Sequence, residues 1–352
     1  MKRPFHADHV GSLLRPPGLA EARKRNDGAF VDEAIRNAIG KQEAVGLQSI
    51  TDGELRRDYW HLDFLKQLDG VMLKPVVGMT FQAEDVPPMA SVTGKVKCSR
   101  PIMVPDFAFV KSVTGKTAKQ CIPSPGSLHF RGGRNAISRE IYPDLAEFWQ
   151  DAGDAWRQAI RHFAEAGCTY LQLDDVGFSY LCDPKVRDNF RRNGDEPAGL
   201  GRIYAEAINR ALRDRPAGMT VTMHTCRGNF RSTWFASGGY QDEVLEGMFS
   251  ADVDGFFMEY DTERAGGFEP LRRLPKGKVV VLGLVTTKSG ALESRDSLKK
   301  RIDEAAKHVP LENLRLSPQC GFSSTHHGNR LTEDEQWRKL ALVVEVAREV
   351  WG

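Results

Sequence analysis

MTVTMHTC, residues 219–226, is a short apolar, β-branched run that ends on a histidine and a cysteine. A run of this length reads as a strand, and reactive side chains at its C-terminal end are what a barrel of parallel strands gathers at its active face. The same unit, a short run followed by a longer amphipathic stretch, recurs on both sides of it. The runs are FHADHV (5–10), LQSITD (47–52), TAKQCIP (117–123), TYLQLD (169–174), VDGFFME (253–259), KVVVLGL (278–284) and LRLSPQ (314–319). Helices are expected over 31–45, 141–166, 201–213, 295–308 and 333–350. The last opens on Thr332 followed by Glu333, Asp334 and Glu335, a capping residue and acids at the positive end of the helix dipole. About eight such units predict an α/β chain folded as one TIM (β/α)8 barrel spanning residues 1–352, a catalytic domain without a second independent unit. The rhythm breaks over 68–105, where VMLKPVV (71–77) and SVTGKVKC (91–98) lie among glycines and prolines. This stretch is expected to form a β-hairpin inserted after the second βα unit, placed as a lid.

Composition narrows the function. The 352 residues carry 49 lysines and arginines against 47 acids, so no net field would hold a nucleic acid or an anionic membrane surface, and small-molecule partners are favoured. The start lacks the apolar run of a signal peptide, and no stretch reaches the ~20 apolar residues of a membrane span, so a cytoplasmic setting is expected. Six cysteines are too few for a disulfide scaffold in a chain this long; as thiols they are open to metal binding or thiolate chemistry.

Strand ends that converge in a barrel bring distant residues together. The fifth run ends in His224 and Cys226, the sixth in Glu259, and the eighth is followed by Cys320. One imidazole, two thiols and one carboxylate are the donor types of zinc, and a His-x-Cys step along an extended segment points both side chains the same way. Ligands this widely spaced suit an active site better than the tight Cys-x-x-Cys pairs of structural zinc. Singly, each has a commoner role: an interior hydrogen-bonded histidine, small buried cysteines, a capping glutamate. Their joint placement at three strand ends favours the metal.

HTC (224–226) followed by a strand-end glutamate and a Pro-x-Cys-Gly (318–321) resembles the catalytic half of the cobalamin-independent methionine synthases. VGSLLRP (10–16) is similar to that family's substrate-binding turn, TDGE (51–54) to its second-strand segment and LQLDD (171–175) to its fourth-strand end. The resemblance spans most of the chain and is nearest to short, single-barrel members lacking the N-terminal half of the full-length enzymes. It implies a Zn2+ ion held by His224, Cys226, Glu259 and Cys320, with homocysteine beside it, the substrate carboxylate near Gly11 and Ser12 and the amino group held by Glu54 and Asp174. It further implies an S-methyltransferase of methionine biosynthesis that moves a methyl group from a methylated folate to homocysteine. Other roles exist for these substrate residues: Gly11 permits a turn, Glu54 suits a helix N-terminus, and Asp174 and Asp175 suit a cap.

Where full-length relatives carry an Asp-x-His segment after the seventh strand, this chain has GLVTTKSG (283–290) with Lys288, so the general acid and the donor stay open. Related readings are a thiol alkyltransferase of the epoxide-opening, coenzyme M type, transfer from a non-folate donor, and a zinc-binding barrel without turnover. A sulfonate thiol would want positive side chains, whereas Glu54 and Asp174 suit an amino acid. Porphyrinogen decarboxylases share the fold but have no use for zinc–thiolate chemistry. Outside the principal set, His6, Asp8 and His9 end the first run, where His-x-x-His is a weak signal for a second metal against a core role. His326 and His327 follow Cys320 as a solvated loop or an anion contact. Tyr59, Trp60 and His61 read as core packing or as a wall for a flat donor ring. Cys121 is a rival ligand; Cys98, Cys168 and Cys182 read as packing residues.

Overall fold

The computed structural model describes residues 3–76 and 87–352. Its strands are β1 (Ser49–Ile50), β2 (Asp69–Lys74), β3 (Met89–Lys97), β4 (Thr117–Ala118), β5 (Gln120–Pro123), β6 (Tyr170–Asp175), β7 (Thr220–Thr225), β8 (Gly255–Glu259), β9 (Val279–Val285) and β10 (Leu314–Pro318). Strands β5 to β10 form one parallel sheet in sequence order, and β1 pairs in parallel with β4. The residue between β4 and β5, Lys119, keeps both in one line, since its amide continues the β1 ladder by donating to Ile50 O. Ala7 bridges Leu316 in parallel, which sets the first run beside the last strand. Side chains complete the closure: Thr51 Oγ1 donates to Gly11 O at 2.7 Å and Ser49 Oγ to Asp8 Oδ1 at 2.7 Å. The ring is a TIM barrel, with helices packed outside it.

Period-2 alternation decides what each strand offers to which side. Leu171, Leu173, Val221, Met223, Phe256 and Met258 join the core between sheet and helices, while Phe257 and Val281 form a small inner cluster with Val10. The intervening residues Gln172, Asp174, Thr222, His224 and Glu259 therefore turn to the barrel interior. Below them Lys119 and Asp8 form a fully buried ion pair at 3.2 Å, with Tyr170 donating to Asp8 at 2.7 Å and the ammonium lying 4.3 Å from the Phe257 ring centre. Burial pushes the Asp8 carboxyl up, but Lys119 and the hydrogen bonds outweigh it and hold it below its usual range. This network fills the barrel floor and leaves the C-terminal end of the strands for chemistry.

Helices over Gly28–Val45, Leu145–Glu165, Leu200–Leu212, Arg295–Ala306 and Glu333–Trp351 stand where the amphipathic stretches lie. Thr332 and Glu335 form a reciprocal capping box at the start of the last. Within 68–105, β2 and β3 pair antiparallel, with a register shift between Asp69 and Val71. Residues 77–86 of that stretch lie outside the described residues. A helix over Val104–Val113 then leads back to the barrel.

Candidate metal and thiol site

At the C-terminal end of the strands, His224, Cys226 and Cys320 present donor atoms that all lie within 4.8 Å of one another. Adjacent registers explain the placement: Asp174 of β6 faces His224 of β7, and Cys226 continues the chain just past the strand, its amide donating to Asp175 O. Cys320 arrives from the turn after β10. Its Sγ is 3.4 Å from that of Cys226, too long for a disulfide, and all six cysteines are free thiols. All three donor residues are buried, at 4%, 5% and 4% exposure.

The donor set fits a metal ion. His224 Nδ1 lies 3.3 Å from Asp174 Oδ1, while its Nε2 is buried without a hydrogen-bond partner among the described residues. A carboxylate on Nδ1 holds the ring with the Nε2 lone pair outward, the arrangement that serves a metal-ligating histidine. The Gly228 amide donates to Cys226 Sγ at 3.2 Å, which favours sulfur carrying negative charge. With protein atoms alone around it, the Cys226 thiol is pushed well up by its Cys320 neighbour and by burial. Two buried sulfurs so close together can both be thiolates only with a cation between them.

Glu259 stands at the end of β8 beside this cluster, but its carboxylate is taken by cations. Arg264 pairs with Oε1, Lys288 Nζ lies 3.4 Å from the same oxygen, and the Arg227 amide donates to Oε2 at 2.9 Å. Burial pushes Glu259 up, and Lys288, Arg264 and Arg227 outweigh it, holding the carboxyl below its usual range. Lys288 also reaches Asp261 at 3.8 Å and does not line the cavity.

Glu54, Cys121 and Asp174 form a second buried group within 4.8 Å. Glu54 takes a left-handed backbone at φ 59° and is buried, with Oε1 3.4 Å from Arg57 and Oε2 without a partner among the described residues. A non-glycine residue in that conformation is strained, and such strain gathers at functional sites. Burial and the neighbouring Asp174 push the Glu54 carboxyl up to about 7 against the pull of Arg57. Cys121 Sγ donates to Val10 O at 3.1 Å, on this side and not with Cys226 and Cys320. Asp175 turns the other way and accepts from the Phe178 amide, so the cap belongs to Asp175 and the interior to Asp174.

Gly11 and Ser12 border the same space. Gly11 has φ 136°, and a Cβ there would lie 2.7 Å from Cys121 Sγ. A Cβ on Gly321 would lie 1.9 Å from Ser12 Oγ, so the Cys-Gly step lets the loop after β10 close onto the first loop. Arg15 locks these loops together, donating to the backbone oxygens of Ser323, Glu54 and Leu13. Ser12, Glu54, Asp174, His224, Cys226 and Cys320 all face one cavity of about 990 Å³ including its open mouth.

The remaining histidines disperse. His6 stacks on Trp351 and His9 is buried against Ser49 O at 3.0 Å, its pKa lowered to about 4 by burial and by Lys119, so the His-x-x-His pair does not converge. His326 and His327 stack on one another and pack against Tyr59 and Phe230, rings that line the cavity. Sequence reasoning missed Arg57, Arg264, Asn229 and Gln172. Asn229 ties β7's loop to Thr287 and Gly321, and Gln172 donates to Asp174 at 2.7 Å. Arg57 had a signal, standing three residues after Glu54; the others had none, being ordinary polar residues in sequence.

A family model described as "Cobalamin-independent synthase, Catalytic domain" matches residues 18–349. The uncharacterized protein YxjH of Bacillus subtilis is 44% identical over 99% of this chain and 96% of its own. A solved structure from Listeria monocytogenes, assigned provisionally as a vitamin-B12 independent methionine synthase, shares 39% identity at a TM-score of 0.79, covering 100% of this chain and 99% of that one. A B12-independent methionine synthase from Shewanella sp. W3-18-1, solved in complex with selenomethionine, has the same fold at a TM-score of 0.75 and 18% identity, covering 98% and 97%. This chain belongs to the cobalamin-independent synthase catalytic-domain family.

Proposed function

We propose that this chain is a zinc-dependent S-methyltransferase that transfers a methyl group from a methylated folate, 5-methyltetrahydrofolate or its polyglutamate, to the thiol of homocysteine, giving methionine. The observation that carries this reading is the sharing of one cavity by a three-donor metal group and an acidic pair. His224, Cys226 and Cys320 would hold Zn2+, with Glu259 as the fourth protein ligand when it leaves its cations. When bound, zinc supplies a Lewis acid that keeps a coordinated thiol deprotonated, where a free thiol near ~8.5 is mostly protonated at neutral pH.

This chain's own residues do the rest. Glu54 and Asp174 face each other across a site too dry for two carboxylates alone, and a substrate ammonium would relieve that repulsion. The turn at Gly11 and Ser12 borders the place for the substrate carboxylate. Asp174 serves both sides, orienting His224 through Nδ1 while facing the amine. Residues 1–352 would act as a single catalytic unit, with the 68–105 insertion covering one side of the cavity through Pro87. Among the described residues no helix is long and apolar enough to cross a membrane, and the free thiols suit a cytoplasmic enzyme.

The test is to incubate zinc-loaded protein with homocysteine and a panel of methyl donors and to detect methionine by mass. The panel holds methylfolates with one or several glutamates, methylcobalamin and sulfonium compounds. Methionine from a methylfolate alone supports the reading; none from any donor, together with an unchanged zinc X-ray absorption spectrum on adding homocysteine, overturns it.

A further inference from the structure

Among the polar side chains that line the cavity, His61 is used by neither the metal group nor the amine site. His61 is 6% exposed, lines the cavity, and among the described residues has no hydrogen-bond partner on either ring nitrogen. Buried polar groups are nearly always satisfied, so two orphaned nitrogens on one buried ring mark a place where a partner is expected. The ring belongs to an aromatic wall. Trp60 lies 4.4 Å from it at an interplanar angle of 31° and Phe130 5.9 Å on, followed by Tyr180 at 5.7 Å from Phe130 and Phe235 at 4.8 Å from Tyr180. Such a wall fits a flat ring system, and a small amino acid thiol at the metal end would leave it uncovered.

We propose that His61 is a specificity-determining contact for the methyl donor, a ring nitrogen meeting the polar edge of a flat, nitrogen-containing ring of pteridine type packed against that wall. The inference rests on the methyl-transfer reading and adds to it the residue that recognises the donor. Burial, reinforced by the nearby Arg131, holds the imidazole well below its usual pKa, so the ring is neutral and offers one N–H and one lone pair. Either group can pair with a ring nitrogen or the amide of a pteridine edge, whereas the charged groups of homocysteine are provided for elsewhere. Arg131 stands at the same wall, donating through Nη1 to Pro88 O at 3.1 Å and Pro87 O at 3.3 Å.

The test uses the full-length zinc protein and pteroylglutamate as probe, with binding followed by titration calorimetry in the absence of thiol. His61→Phe keeps an aromatic ring in the wall and removes both polar atoms. Its dissociation constant should rise about tenfold or more, because the ring edge loses its partner. His61→Gln, which restores a donor and an acceptor, should recover part of that loss. The homocysteine-induced change in the zinc absorption spectrum should be the same in all three proteins. His61→Phe should also unfold at a temperature no lower than wild type, since it removes orphaned polar atoms from a buried site, and this shows that weaker binding is not a folding defect. Wild-type affinity in a folded His61→Phe would overturn the proposal and make His61 a packing ring. A wild-type protein that binds no pteroyl compound would overturn it as well, while leaving thiol activation standing. Loss of the homocysteine response alone would instead sink the reading of the metal site, because the pteroyl arm is measured without thiol.

Discussion

Two buried groups of three potential metal donors lie in one barrel and have different surroundings. His224, Cys226 and Cys320 bring two sulfurs within 3.4 Å and leave Nε2 of the histidine free, and the Arg264 and Lys288 side chains nearby are spent on Glu259. Glu54, Cys121 and Asp174 are as tightly grouped, but Arg57 lies 3.4 Å from Glu54 and also donates to Cys121 O at 2.6 Å. A guanidinium already in place lowers the need for a metal ion, and a single thiol bonded to a backbone carbonyl is not poised as a ligand. Proximity of donor types is therefore insufficient to mark a metal site; the paired sulfurs and, among the described residues, the lack of a cation on them distinguish the first group from the second. Asp174 is the hinge between them, touching His224 on one side and standing beside Glu54 on the other.

The sharpest way to break this contrast is to remove sulfur from each side. Cys226→Ser or Cys320→Ser should weaken zinc retention by more than about 100-fold, beyond what loss of a supporting residue causes, and abolish turnover. Cys121→Ser should retain the metal. Zinc per protein after gel filtration, measured by mass spectrometry, checks both, and the opposite pattern would exchange the two assignments.

Asp174→Asn tests the shared residue. It should weaken zinc affinity by about 10- to 100-fold, through loss of the carboxylate that orients His224, and should raise KM for homocysteine in zinc-saturated protein. A change in metal affinity with KM untouched would restrict Asp174 to the metal side.

Glu54→Gln acts on the amine side alone. With a charge-assisted hydrogen bond removed, kcat/KM for homocysteine should fall by about 10- to 100-fold at unchanged zinc content. The pH dependence follows from the raised carboxyl. Glu54 titrates near 7 in the fold against 4.5 for a free group, so its ionised, ammonium-binding form grows as pH rises through about 7. Thiol affinity of the wild type should rise over that range, and the rise should flatten in Glu54→Gln. For stability the sign is opposite: the folded state holds this proton more tightly, so the contribution is full below pH 4.5 and is lost as pH rises toward 7. Thermal unfolding of metal-free wild type and Glu54→Gln across pH 4 to 8 checks it, and the effect should be the smallest of the series, since coupling to Asp174 and Arg57 spreads the titration.

The barrel was legible because each strand is a short apolar run and each long helix carries its own amphipathic period, signals that are local in the chain. The strand-end residues were legible for the same reason: His224, Cys226, Glu259 and Cys320 each close or follow a recognisable run. The pairing strands β2 and β3 could be anticipated from the β-branched residues around them, though their register shift could not. What the chain alone could not resolve was the choice between neighbours of equal chemistry. Asp174 and Asp175 look alike in LQLDD, but one residue of strand period sends the first to the interior and the second to a helix cap. Cys121 and Cys226 each end a strand run, and only the ring closure places one beside Glu54 and the other beside Cys320.

Local pattern in the sequence thus determined the fold class, the strand ends and the family resemblance, since periodicity and turn chemistry act over a few residues. The tertiary structure decided which carboxylate orients His224, which cations hold Glu259 and where His61 lies unpartnered, because those relations join residues tens to hundreds of positions apart and exist only once the barrel has closed.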